Sequence, residues 1–233
     1  MTEASDFDRA WMDKFRTHLD EAVGEEIGEE VIQDGGTLSS ESSRLEVIEW
    51  TTQAMERLDS FVDEKASQSI LSACACPYPK ENLHEIKAVY ATTKDIDQVQ
   101  GMLQEQFESY LKKTMKVSEE MLAEIVDRGW GSAGIKRGNT IVATKIPKSG
   151  HLIEYMHETN PEVRRQYYCH CPRVREAVKD SLMISSTYCY CGAGFYKGIW
   201  EEILQRPVEV EVLESVLSGG EVCKIAIHLP DNA

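Results

Sequence analysis

Six of the seven cysteines stand in three Cys-x-Cys pairs, Cys74/Cys76, Cys169/Cys171 and Cys189/Cys191, and Cys223 stands alone. A Cys-x-Cys on a turn or strand aims two sulfurs at one point when the intervening residue lies out of the way. Thiolates are soft ligands that favour zinc, iron–sulfur clusters or cuprous copper over magnesium or calcium. A tetrahedral zinc takes four cysteines, or three with one His, Asp or Glu, so three pairs hold more sulfur than one such site needs. His170, inside Cys169-His170-Cys171-Pro172, could complete a set through its imidazole. The cofactor expected is zinc, with an iron–sulfur cluster as the alternative. A disulfide within a pair would close a small, strained ring, and an odd cysteine count argues against a disulfide framework. The other reading of each cysteine is a small buried hydrophobe, which suits Cys223 on its apolar segment best.

Around the last two pairs lie Tyr168, Tyr190, Phe195, Tyr196 and Trp200. They read either as core packing or as the wall of an apolar ligand pocket. No other motif for catalysis is present. GAGFYKG at 192–198 lacks the Gly-Lys-Ser/Thr of a phosphate loop, Gly-x-Ser-x-Gly is absent, and no histidines stand at metalloprotease spacing.

These side chains must be positioned by helices and a late sheet. Phe7, Ala10, Trp11, Phe15, Leu19 and Val23 recur at helical spacing and predict an amphipathic helix over 5–23. Gly35-Gly36 and the serines to Ser43 predict a loop. A long helix is expected from Glu41 to Leu71, ending before Cys74-Ala75-Cys76-Pro77-Tyr78-Pro79, where two prolines forbid continuation. One or two helices are expected over 81–113, with Asp95 as an N-cap, and another from Ser118 to Gly129. Arg137-Gly138-Asn139 before Thr140–Thr144 signals a hairpin. Asn160-Pro161 starts a further helix, and Pro172 breaks or restarts it. Residues 183–188 read as a short strand. Gly194 and Gly198 leave two positions on one helix face without side chains, open to close backbone approach. Val208–Val216 alternates and Val222–Leu229 returns after a Gly219-Gly220 turn, giving two strands. The fold class expected is α+β, an antiparallel sheet with packed helices, preceded by a helical N-terminal segment. The domains expected are residues 1–79, acidic and helical, and 80–233, which bind metal and ligand.

The chain of 233 residues carries 40 acidic and 25 basic side chains, a formal charge of −15. Residues 1–80 hold 18 acidic against 7 basic side chains, so most of the excess lies in the front third. Such an acidic chain lacks the Lys and Arg that phosphate-backbone binding requires, so no nucleic-acid partner is expected. No stretch has the roughly 20 apolar residues of a membrane span, and no membrane partner is expected. Reduced thiols and a start without a secretory signal pattern predict a cytoplasmic location.

Residues 192–230, GAGFYKGIWEEILQRPVEVEVLESVLSGGEVCKIAIHLP, resemble the end of the 4-vinyl-reductase domain family. The resemblance rests on Gly194 and Gly198, Pro207-Val208, Glu214, Gly219-Gly220 and Cys223-Lys224-Ile225-Ala226-Ile227. It implies a mixed fold whose sheet and helices enclose an apolar pocket for a small molecule. In members that sense aromatic compounds a zinc is bound by cysteines and a glutamate, and the matching positions here are Cys191, Glu214 and Cys223. Leu217 stands where those members have a further zinc cysteine, so Cys189 or a thiol of 169–171 would have to take its place. The Cys-x-Cys pairs together with this ending also resemble uncharacterised bacterial proteins grouped near the L-2-amino-thiazoline-4-carboxylate hydrolases, with no catalytic residue identifiable.

The function expected is a metal–thiolate protein binding a small, partly apolar or aromatic molecule. The alternative is an enzyme, either a hydrolase of a small heterocycle whose metal activates water or an iron–sulfur protein of redox or sulfur chemistry. The candidate metal ligands are Cys169, Cys171, Cys189 and Cys191, then Cys223, Cys74 and Cys76, with Glu214 and His170. A third reading makes the protein a structural partner module whose acidic front is a docking or dimerisation arm, the latter giving a homodimer.

Overall fold

Caps and breakers written into the sequence set most of the element boundaries in the computed structural model, which describes residues 3–33 and 42–231. The helices run α1 Glu3–Val23, α2 Glu25–Ile32, α3 Arg44–Phe61, α4 Glu64–Ala73, α5 His84–Thr93 and α6 Ile96–Tyr110. They continue as α7 Glu119–Asp127, α8 Leu152–His157, α9 Pro161–Tyr168, α10 Pro172–Lys179 and α11 Tyr190–Leu204. The strands are β1 Ile135–Arg137, β2 Thr140–Thr144, β3 Glu209–Glu214 and β4 Lys224–His228. The fold is α+β: an antiparallel sheet of order β1-β2-β4-β3 with helices packed around it, after a helical N-terminal region. None of the helices is long and apolar enough to cross a membrane among the described residues.

Two expectations are corrected. The long helix from Glu41 to Leu71 is two helices, because Val62 turns extended and the Asp63 side chain accepts the amide of Ala66, capping α4 anew. The expected strand over 183–188 is instead irregular and then a 3₁₀ turn, Ser186–Cys189. There the Ser185 hydroxyl accepts the amide of Thr187, a local bond that competes with strand pairing. The expected Gly35–Ser43 loop lies largely outside the described residues.

The chain forms two compact units, one of residues 1–76 with 169–194, the other of 77–168 with 195–233. The sequence reading divides the chain once, at 79/80; the first unit also takes in a segment from much later in the chain.

The first unit is helical. Trp11, Phe15 and Leu19 of α1, Ile48, Met55 and Leu58 of α3, and Ile70 and Leu71 of α4 form its core. A capping box, with Ser43 accepting the Glu46 amide and Glu46 accepting the Ser43 amide, starts α3. The returning segment is held by Thr52, which donates to the Met183 carbonyl at 3.1 Å, and by Ser185, which donates to Asp59 at 2.5 Å.

The second unit carries the sheet. Arg137 and Thr140 pair across a tight turn in which Gly138 has φ +62°, a backbone that glycine adopts without steric cost. Strand β4 lies between β2 and β3, with Ile227 opposite Ile141 on one side and Val210 on the other. Ile141, Ala143, Ile225 and Ile227 are buried, as are Ile199, Trp200 and Ile203 of α11.

Candidate metal–thiolate site

All seven cysteines are thiols. Six of them, the three Cys-x-Cys pairs, lie in the first unit. Three local devices place one member of each pair. Helix α4 ends at Ala73, so Cys74 becomes its C-cap, and burial leaves its thiol donating to the Ile70 carbonyl at 3.2 Å. Pro172 at the first position of α10 makes Cys171 the N-cap in extended backbone. The first turn of α11 holds Cys191, and Gly194 lets that turn approach α4 closely. A Cβ on Gly194 would fall 1.9 Å from the Ser72 carbonyl oxygen, a separation no side chain can occupy. That approach brings the Cys191 thiol to 3.7 Å from the Cys74 carbonyl, to which it donates.

Around these sulfurs the first unit assembles buried polar side chains. The Trp11 indole N–H donates to Cys191 Sγ at 3.4 Å. The Tyr188 hydroxyl lies 3.3 Å from Cys171 Sγ and accepts from Arg173 Nη1 at 3.0 Å. Arg173 is fully buried, with its guanidinium 4.4 Å from the Trp11 ring centroid. Its Nη2 lies 2.9 Å from Asp8 Oδ1, an ion pair by distance in which that oxygen receives no aligned hydrogen bond. Asp8 is also paired with Arg44 at 2.8 Å. Lys14 of α1 donates to the Ala75 carbonyl at 3.1 Å, fixing the backbone between Cys74 and Cys76.

The electrostatics divide these groups. Burial pushes the Cys74 thiol up to about 12, and the neighbouring Cys191 adds to the rise, against the pull of Lys14 and Arg173. Burial, then Cys171, pushes the Tyr188 phenol well above its ordinary value, so it stays a hydrogen-bond donor. Burial works against the Arg173 cation, but Tyr188, Cys171 and Asp8 more than offset it. Arg173, Arg44 and Asp8 sum to one positive charge.

The remaining candidates are placed as follows. Cys76 is exposed, Cys169 buried, and His170 and Cys189 half-buried, all in the first unit. Cys223 and Glu214 lie in the second unit, so the set implied by resemblance (Cys191, Glu214, Cys223) draws on both. Glu214 closes the β3–β4 turn, accepting from Lys224 Nζ at 2.8 Å and from the amides of Glu221 and Val222. Those bonds hold its carboxyl below the usual range although burial acts the other way. Of the aromatic candidates, Tyr190 is in the first unit and half-buried. Tyr168, Phe195, Tyr196 and Trp200 are in the second. Tyr168, Tyr196 and Trp200 are buried, Phe195 packs edge-on against Tyr78 and Tyr196, and the Trp200 indole N–H has no acceptor among the described residues.

Sequence reasoning missed Asp8, Arg173 and the polar role of Trp11 and Tyr188. Trp11 reads as one more apolar position on the α1 stripe, and nothing in the sequence ties it to a thiol 180 residues away. Arg173 carried one local signal, its place two residues after Cys171.

Residues 154–233 match a family of unknown function (DUF6144). That stretch contains two of the three Cys-x-Cys pairs, Arg173, Tyr188 and Cys223. No curated protein and no solved structure matches the chain.

The residues present were tested against a soft metal on donor chemistry and on arrangement. Among the described residues no three His, Cys, Asp or Glu side chains stand together as a ready ligand set. The donor types suit a soft metal, but the arrangement supplies no ligand set; what is in place is a buried donor at each of two sulfurs, Trp11 at Cys191 and Tyr188 at Cys171, with the buried Arg173 behind Tyr188.

Proposed function

We propose that the protein is a metal–thiolate protein that takes zinc or an iron–sulfur cluster on its first unit and binds a small, partly apolar or aromatic molecule. The observation that supports this reading is that two of the Cys-x-Cys pairs each turn a sulfur to a buried aromatic donor, Cys191 to the Trp11 N–H at 3.4 Å and Cys171 to the Tyr188 hydroxyl at 3.3 Å. Cys171 and Cys191 would be ligands, and side chains from Cys74, Cys76, Cys169 or Cys189 would have to move to join them, since no three stand together among the described residues. Bound there, zinc would supply a closed tie or a Lewis acid, and a cluster would supply one-electron chemistry. The protein's own share is charge. Three thiolates are costly in a buried place without compensation, and Arg173 provides a fixed cation that lowers that cost.

The small-molecule half of the reading rests on Tyr168, Phe195, Tyr196 and Trp200 in the second unit. The unpaired Trp200 N–H is a buried donor that a ligand acceptor would satisfy. Seven thiols without a disulfide suit a reducing cytoplasm. The resemblance of residues 192–230 to the 4-vinyl-reductase domain points to the same pairing of soft metal and aromatic ligand.

The test is elemental analysis and the ultraviolet–visible spectrum of the full chain purified without oxygen. Near-stoichiometric zinc, or iron with a visible band bleached by dithionite, is expected, and Cys171→Ser and Cys191→Ser should each lose most of it. Protein that contains neither metal, and that takes up neither zinc nor cobalt(II) when offered, would sink the reading.

A further inference from the structure

We propose that the two open edges of the sheet in the second unit, basic β1 and acidic β3, pair with each other between copies of this chain, so that the protein self-associates head to tail. The inference is independent of the metal–thiolate reading and rests on the sheet alone.

The order β1-β2-β4-β3 gives β1 and β3 one strand neighbour each. About half the backbone N–H and C=O groups of such a strand point away from that neighbour, a ready template for another strand. Among the described residues no hydrogen bond joins the backbone of Ile135–Arg137, or of 210–213, to anything outside the sheet. All three residues of β1 are exposed, as are Glu209, Glu211 and Leu213 of β3. Each edge also shows water one large apolar side chain, Ile135 and Leu213, both 49% exposed.

Charge selects the occupant. β1 carries Lys136 and Arg137, and β3 carries Glu209, Glu211 and Glu214. Lys136 is held by Asp97 at 2.6 Å and Glu214 by Lys224 at 2.8 Å. Arg137 has no ion-pair partner among the described residues, and Glu211 has only His228 at 3.5 Å. Charge on an edge normally keeps copies of a protein apart. Here β1 against β1, or β3 against β3, sets like charges opposite one another, which is destabilising, and so disfavours a symmetric dimer. β1 against β3 sets opposite charges together. Such a contact is heterologous, and it repeats from copy to copy.

Direction and register agree with this. All three strand pairs are antiparallel, so β1 and β3 run in opposite directions. A second copy in the same orientation therefore continues the antiparallel order across the junction. The paired residues Arg137, Thr140, His228 and Glu209 form one row across the sheet, and Ile135, Val142, Ala226 and Glu211 form another on the same face. Sliding the incoming β1 by two residues keeps that face. It then sets Arg137 opposite Glu211 and Ile135 opposite Leu213, an ion pair beside an apolar pair.

A three-residue strand makes a weak contact, so association must grow with concentration. The full chain, kept reduced so that no disulfide joins copies, is followed by sedimentation equilibrium over a wide range of concentration. The average mass should climb past that of a dimer and should fall with added salt. Arg137→Glu and Glu211→Lys should each weaken association about ten-fold or more, and the two changes in one chain should restore it. Independently of any variant, wild-type amide exchange in 135–137 and 210–213 should slow as concentration rises, while that of Ile227 in the central strand stays constant. A wild type that keeps monomer mass at every concentration overturns the inference, and would leave the acidic edge to a basic segment of another protein. A mass that stops at a dimer, or association that neither single change weakens, overturns it as well.

Discussion

The two units surround cysteine with different groups. In the first, sulfur is the engaged atom: Cys191 meets the Trp11 N–H and Cys171 the Tyr188 hydroxyl. In the second, the Cys223 sulfur is met by the Val216 backbone, not by an aromatic donor, and the residue is tied through its own backbone as well. Its amide donates to the Tyr168 hydroxyl at 3.0 Å and its carbonyl accepts from Lys145 at 2.9 Å, while burial raises its thiol. The same residue type faces buried aromatic side chains in one place and a strand end in the other, and the difference lies in which donors reach the sulfur. Tyr168 shows the second pattern from its own side. It donates to the Lys145 carbonyl, accepts from Cys223, and ties the end of β2 to the entry of β4.

The sharpest way to break the comparison is Gly194→Ala. The new Cβ would meet backbone atoms of Ser72, the oxygen at 1.9 Å and the carbonyl carbon at 2.7 Å, and backbone does not yield as a side chain tip does. A cost of about 3 kcal/mol is expected, at the upper end for overpacking, read as a fall in the urea midpoint. The loss should fall on the first unit, with amide exchange accelerated through residues 70–74, because the α4–α11 approach brings the Cys191 thiol to the Cys74 carbonyl. An unchanged midpoint would show that this close approach does not position the thiols.

Tyr168→Phe is the matching change in the second unit. It removes one hydroxyl and leaves the Cys223 amide and the Lys145 carbonyl without that partner in a buried place. About 2 kcal/mol should be lost, and amide exchange at Cys223 should rise relative to Ile227 in the strand centre. If exchange at Cys223 stays as slow as at Ile227, the hydroxyl is not what holds the start of β4.

How legible these units were in the sequence follows the range of the interactions. Local signals were readable: Asp95 and Ser118 cap α6 and α7 as expected, Asn160-Pro161 opens α9, and Arg137-Gly138-Asn139 turns β1 into β2. The α3–α4 break was missed because the apolar stripe continues across it, from Leu58 through Val62 to Ala66, while a single aspartate side chain decides the cap. The three Cys-x-Cys pairs were visible as a pattern. The partners that give their sulfurs a role were not, since Asp8 and Trp11 meet residues 165 and 180 positions away. Periodicity reports that Trp11 is buried and is silent on where its N–H points.

Gly198 gives the smallest and most diagnostic prediction. It shares α11 with Gly194, one turn on, and the sequence pattern treats the two alike. The structure separates them: Gly198 is exposed, and a Cβ there would meet nothing within 4 Å. Its φ is not among the positive values of the chain, so alanine adopts the same backbone without strain. Gly198→Ala should therefore stabilise by about 0.5–1 kcal/mol, through helix propensity and a less flexible unfolded chain. For a chain of this size that raises Tm by about 1–4 °C. A fall in Tm would mean that a Cβ at 198 meets something in solution, a ligand or a second copy packed on that face, and would make Gly198 the counterpart of Gly194 after all.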